Sequence, residues 1–238
     1  MNLKNLSRKK GLIACTTIFI AIVVDQIIKI WVKTTMPLGG QIHIADWFYI
    51  KFIENNGMAY GMTFINKPVL SLFRMVLIAL LGWYIVKQVK SKARTFYVLV
   101  LSLVFAGAVG NLIDCMFYGL VFSGSSPFYV SYFVPFGDGY STFLTGRVVD
   151  MFYFPLIVTT WPSWVPVWGG EEFVFFSPIF NFADACISVG FVLLILFCRT
   201  ELSQLSFEGK KKNDNVSGKE RKVLDDDKSD VSEKFAAN

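Results

Sequence analysis

Long apolar stretches alternate with polar segments along this chain, and four of them, Gly11–Trp31, Pro68–Val86, Thr95–Tyr118 and Asn181–Cys198, are long enough to predict membrane-spanning helices. A hydrocarbon core of roughly 30 Å takes about 20 helical residues. Between the first two stretches, His43–Ile53 is rich in aromatic and β-branched residues and predicts one or two short strands, followed by a turn at Asn55-Asn56-Gly57. The organisation expected is a membrane α-helical domain of four transmembrane helices over residues 1–200, with outer loops 32–67 and 119–178. The tail 201–238 mixes charges, with Lys210-Lys211-Lys212 and Asp225-Asp226-Asp227, and is expected to be disordered and cytoplasmic. The 119–178 loop is rich in aromatics, which suit either a headgroup layer or a packed extramembrane lobe.

Composition agrees with the pattern: 54% of the 238 residues are hydrophobic. The net charge of +5 follows topology. Lys4, Arg8, Lys9 and Lys10 precede the first span, Lys87, Lys90, Lys92 and Arg94 link the second to the third, and Arg199 and Lys210 follow the fourth, whereas Gly119–Pro178 carries only Arg147. The positive-inside bias puts both termini in the cytoplasm and the two long loops outside, and gives no argument for nucleic-acid binding. Cys15, Cys115, Cys186 and Cys198 lie in or beside the spans without metal-ligand spacing, as small packing residues would. Leu12-Ile13-Ala14-Cys15 looks like a lipidation box, but only Gly11 separates it from the basic run, so the first span is expected to be retained as a helix.

Charged groups inside spans are costly and mark function, so their depth is informative. Asp25 and Lys29, Asn111 and Asp114, and Asn181 and Asp184 all fall within roughly 10 Å of the outer end of their helices, and Arg74 falls in the same layer. Each has a structural alternative. Asp25 and Lys29 are a favourable i,i+4 pair, Asn111 and Asp114 would tie helices, Asn181 would cap the last helix, and Lys29 and Arg74 would snorkel. His43 stands alone in a loop as a surface residue. With no buried histidine and no serine or cysteine beside a base, a nucleophilic triad does not fit, and a single histidine argues against zinc. Carboxylates remain: two held together share a proton, one activating water and the other protonating a carbonyl. Asp25, Asp114, Asp184 and Asp150, the last in an apolar run where a loop could dip into the interface, are the candidates, and physics alone does not select the pair. An ion- or proton-coupled transporter would use the same layer, although no repeat is visible. A non-catalytic assembly factor would use Gly107 and Gly110 for packing.

Five blocks narrow the choice. Asp25-Gln26-Ile27-Ile28-Lys29, Asn55-Asn56-Gly57-Met58-Ala59-Tyr60, Gly110-Asn111-Leu112-Ile113-Asp114, Val148-Val149-Asp150-Met151-Phe152 and Phe180-Asn181-Phe182-Ala183-Asp184 together resemble, in that order, bacterial lipoprotein signal peptidase (signal peptidase II). The resemblance implies a membrane aspartic peptidase that removes signal peptides from diacylglyceryl-modified prolipoproteins, cutting before the lipidated cysteine. It implies a small extracytoplasmic β-rich cradle in the first outer loop and a catalytic pair matching Asp150 and Asp184. Asp25, Lys29, Asn55, Gly57, Asn111, Asp114 and Asn181 are implied to support the site or substrate. The dyad needs no metal or organic cofactor. The partners implied are lipidated prolipoproteins and membrane lipids, for a monomer in the bacterial inner membrane with its active site near the outer leaflet. Two features depart from the family. Cys115 stands where an arginine usually follows the third-block aspartate, and Arg74 is expected to supply that charge. A segment near Leu120–Thr145 separates the third block from the fourth.

Overall fold

The computed structural model describes residues 3–55 and 67–203. Its first helix, α1 (Leu3–Thr35), runs for 33 residues, about 50 Å at 1.5 Å per residue. It stops just before Met36-Pro37, since a proline drives the residue ahead of it out of the helical region. The hydroxyls of Thr34 and Thr35 donate back to the carbonyls of Ile30 and Trp31 at 2.7 and 2.6 Å. Helix α2 (Lys67–Lys90) and helix α3 (Thr95–Ile113) follow. Beyond α3 the same helix passes through a π-helical turn, Asp114–Tyr118, and a short turn α4 (Gly119–Val121). The last helix is α5 (Phe182–Phe197).

Among the described residues, three helical stretches, Asn5–Thr35, Lys67–Lys90 and Thr95–Val121, are long and apolar enough to cross a membrane. The fourth expected span is apolar but has 16 residues, roughly 24 Å. Its start is fixed by a cap at Asn181 rather than by hydropathy. The fold is thus several apolar helices with a small sheet. Large apolar side chains of α1 and α2, among them Phe19, Ile20, Leu72, Phe73 and Trp83, remain exposed, as lipid-facing positions do. Helix α3 lies at the centre against α1 and α2. Its glycines allow α5 to approach, because a Cβ on Gly107 would strike the Ala183 carbonyl oxygen and one on Gly110 would sit 3.2 Å from the Ala183 methyl.

His43–Ile53 does form strands: β1 (Gln41–Ala45) and β2 (Phe48–Asn55) pair antiparallel, Gln41 opposite Lys51 and Ile42 opposite Ile50. The Asn55-Asn56-Gly57 turn lies mostly outside the described residues. Strand β2 pairs antiparallel with β3 (Val148–Tyr153), setting Ile53 opposite Asp150, Glu54 opposite Val149 and Asn55 opposite Val148. Asp150, expected on a dipping loop, is therefore on an inner strand of the sheet. Its alternation explains this: Val149 and Met151 join Phe52, Val32, Met36, Tyr118 and Phe122 in one core cluster, leaving Asp150 to face the other way. After β3 the chain forms a separate hairpin, β4 (Ile157–Thr160) with β5 (Glu172–Phe175), then returns as β6 (Ile179–Phe180) against Phe152 and Tyr153. The four-stranded order is β1-β2-β3-β6.

Candidate active site

The site is assembled where α1, α3, α5 and two strands meet. Spacing of four puts Asp25 and Lys29 on one stripe of α1, and the pair faces inward rather than snorkelling. The Lys29 ammonium, fully buried, lies 2.8 Å from Asp25 Oδ2 and 2.8 Å from Asp114 Oδ2 and donates to Asn111 Oδ1 at 2.9 Å. Three ammonium protons meet three acceptors, so no Lys29 proton is left unmatched, while two carboxylates share the one cation. Gln26, a neighbour on α1, donates to Asp114 Oδ1 at 3.0 Å and Asp25 Oδ2 at 3.1 Å, and accepts from the Tyr118 hydroxyl at 3.1 Å. Asp25 Oδ1 then receives the backbone N–H of Ala183 at 2.9 Å. The buried salt bridge thereby reaches the first turn of α5 and anchors it.

That first turn is a reciprocal cap. Asn181 Oδ1 accepts from the Asp184 N–H at 2.8 Å, and Asp184 Oδ2 accepts from the Asn181 N–H at 3.4 Å. The same Asn181 side chain donates through Nδ2 to Asp150 Oδ1 at 2.7 Å and to Asn111 Oδ1 at 3.1 Å. Asn111 Nδ2 in turn donates to Asp184 Oδ1 at 2.7 Å, and Asn55 Nδ2 to Asp150 Oδ2 at 3.2 Å. Asp150 and Asp184 are thus joined through two amides, with Asn181 touching both carboxylates. Asp150 is buried and Asp184 half-buried. Burial first, and the Asp184 carboxylate second, push Asp150 up to about 7, against hydrogen bonds from Asn181 and Asn55 and the Lys29 charge. A proton on Asp150 beside an open Asp184 is the pairing that general acid–base hydrolysis uses.

Strand β3 is delivered to this point by the π-helical turn. A π turn releases a carbonyl from the helical ladder, and the Cys115 carbonyl accepts the Gly146 N–H at 2.9 Å. A Cβ on Gly146 would strike the Asp114 carbonyl oxygen, so only glycine lets Arg147–Asp150 lie this close. The Val149 N–H reaches Asp114 Oδ2 at 3.4 Å.

Of the residues singled out by sequence, Asp25, Lys29, Asn55, Asn111, Asp114, Asp150, Asn181 and Asp184 share this one network. Gly57 lies outside the described residues. Arg74 donates from Nη1 to Cys115 Sγ at 3.7 Å, beside the position where the family arginine was expected. His43 is exposed, 3.2 Å from Asp46. Sequence reasoning passed over Gln26, Tyr118 and Gly146. Gln26 was adjacent to Asp25 in a quoted block, while Gly146 carried no signal before its close contact was seen.

A family model described as signal peptidase (SPase) II matches residues 17–199. Lipoprotein signal peptidase of Porphyromonas gingivalis is 50% identical over 203 residues, 85% of this chain and 89% of that protein. Lipoprotein signal peptidase of Amoebophilus asiaticus is 34% identical over 192 residues, 78% of this chain and 77% of its own length. A solved structure of a bacterial membrane enzyme superposes with a TM-score of 0.51 at 23% identity, covering 77% of this chain and 90% of that one, and shows a common fold. These likenesses give no support to the transporter reading. With a family model over most of its length and half its aligned residues shared with one such peptidase, the chain belongs to the signal peptidase II family.

Proposed function

We propose that Asp150 and Asp184 are the catalytic dyad of a membrane aspartic endopeptidase that removes signal peptides from diacylglyceryl-modified prolipoproteins, cutting before the lipidated cysteine. The observation that carries this is Asn181 hydrogen-bonded to both carboxylates, in a site backed by a Lys29 whose three protons all have acceptors. Asp184, ionised, takes a proton from water as the water oxygen attacks the scissile carbonyl carbon, while Asp150 gives its proton to the carbonyl oxygen. Collapse of the tetrahedral diol returns a proton to Asp150 as the C–N bond breaks, and Asp184 passes its proton to the leaving cysteine nitrogen. Both carboxyls end as they began.

Asp25, Lys29, Asp114 and Asn111 hold the dyad through hydrogen bonds, Asn55 orients Asp150, and Gly57 belongs to the same supporting set. Arg74 supplies beside Cys115 the cation that the family resemblance leads one to expect at that position. Topology makes the substrate sensible. With both termini cytoplasmic by the positive-inside bias, and α5 as a fourth crossing, the dyad lies at the outer leaflet of the inner membrane. A diacylglyceryl group held there brings the adjoining peptide bond to the same depth. The enzyme acts as a monomer over residues 1–200.

The test is cleavage of a synthetic diacylglyceryl prolipopeptide by purified protein, with Asp150→Asn, Asp184→Asn and Arg74→Ala alongside. Each dyad variant is expected to lose about 1000-fold or more in kcat, and wild-type turnover in either defeats the dyad. Full activity in Arg74→Ala removes the role given to that arginine. Cleavage undiminished by a strong chelator is expected as well.

A further inference from the structure

A second buried charge centre lies next to the first and has no part in the dyad. One further step of four along α1 from Asp25 and Lys29 is Lys33, with side-chain exposure of 0%. Its ammonium is paired with Glu54, whose side chain is 2% exposed, and donates to Ser125 Oγ at 2.8 Å. Ser125 Oγ donates to the same Glu54 oxygen at 2.8 Å, and Arg147 Nη1 reaches the other oxygen at 2.9 Å. The rings of Tyr140, Phe122 and Phe52 stand 5.0, 5.3 and 5.9 Å from Lys33 Nζ, closing the cation off from water. Glu54 is held below the ordinary carboxylate range: burial works against its charge, and Lys33, Ser125 and Arg147 more than offset it.

Placement in the sheet gives this cluster its meaning. Glu54 is followed directly by Asn55, the donor to Asp150 Oδ2, and Arg147 directly precedes β3. Glu54 pairs with Val149 and Asn55 with Val148, so the cluster sits on the β2–β3 ladder within one rung of Asp150's partners. Ser125, Phe122 and Tyr140 all come from the segment between the third and fourth sequence blocks. That segment is itself fixed by the Leu38 N–H donating to the Ser126 carbonyl at 3.0 Å and by the Arg147 N–H donating to the Tyr140 hydroxyl at 2.6 Å.

We propose that Lys33, Glu54 and Arg147 are positioning residues for the hydrolytic reaction, fixing the β2–β3 register that presents Asp150 and Asn55, and that the 122–147 segment serves to seal this ion cluster. The proposal rests on the dyad assigned above. It acts through geometry, so it concerns turnover rather than substrate affinity: no member touches a dyad carboxylate in the contacts described.

The experiment compares full-length wild type with Glu54→Gln, Arg147→Met and Arg147→Lys in lipid nanodiscs, measuring kcat and KM on a diacylglyceryl prolipopeptide, with Asp150→Asn run in parallel. Thermal unfolding confirms that each variant is folded at the assay temperature. Glu54→Gln is expected to lose at least tenfold in kcat with KM within about twofold of wild type. Arg147 is 43% exposed, so Arg147→Met tests the idea even where Glu54→Gln does not fold. It is expected to lose several-fold in kcat, and Arg147→Lys, which keeps the cation, to return within about twofold of wild type. Wild-type kcat in folded Glu54→Gln or in Arg147→Met overturns the proposal, as does a loss confined to KM. Should Asp150→Asn turn over like wild type, the dyad itself is at fault rather than the positioning unit.

Discussion

Asp150 is held where a carboxylate is expensive, and the cost can be read out as stability. Burial, then the neighbouring Asp184, raise it from 3.8 to about 7. A carboxyl that binds its proton more tightly folded than unfolded stabilises the fold fully below about 4, and that contribution disappears as pH rises to about 7. A displacement of this size is worth on the order of 4 kcal/mol at most. Asn cannot ionise, so Asp150→Asn is expected to unfold at a higher temperature than wild type at pH 8 and at nearly the same temperature at pH 4. Melting curves at the two pH values decide it, and an equal difference at both would show that ionisation of Asp150 costs the fold nothing. Turnover runs the same way: kcat of wild type is expected to fall as pH rises through about 7, because the proposed dyad would then lose its shared proton.

Elements position these residues by close approach more than by charge, and glycine is where that shows. At Gly110, a Cβ would lie 2.6 Å from Asp25 Oδ2 and 3.2 Å from the Ala183 methyl. Gly110→Ala is expected to displace Asp25 from the Ala183 N–H, costing about 1–3 kcal/mol of stability together with most of the activity. A wild-type melting temperature and kcat in Gly110→Ala would sink this account of how α3 meets α5. The same contrast explains what was legible beforehand. Helices α1, α2 and α3 and the β1–β2 hairpin follow from hydropathy and β-branched content, which report on the local chain. Asp25, Lys29, Asn111, Asp114, Asn181 and Asp184 were found together because equal depth in separate spans is computable from 1.5 Å per residue. Asp150 was placed on a loop because its strand pairs with β2 across nearly one hundred residues, a contact that no local pattern encodes. The π-helical turn and its Gly146 partner were hidden for the same reason, as was Lys33, whose acceptor lies on another element.

At the scale of the whole molecule, the proposed direction across the membrane is what would give the chemistry its substrate. Among the described residues three helical stretches are long enough to cross, and α5, at 16 residues, is about 6 Å shorter than a 30 Å core. Bilayers thin locally around short spans at modest cost, and the capped first turn of α5 holds Asp184 at its entry, so a crossing that starts at the dyad needs no extra apolar length there. Sidedness is testable by labelling single cysteines in a background with all four native cysteines replaced. Ser163→Cys, between β4 and β5, is expected to react with a membrane-impermeant maleimide in intact spheroplasts. Ser91→Cys, between α2 and α3, and Ser203→Cys, beyond α5, are expected to react only after permeabilisation. Labelling of Ser203→Cys from outside would leave α5 uncrossed, and labelling of Ser91→Cys from outside would invert the topology. An inverted chain would present the dyad to the cytoplasm, away from lipidated precursors arriving in the outer leaflet, and the depth argument for its substrate would go with it.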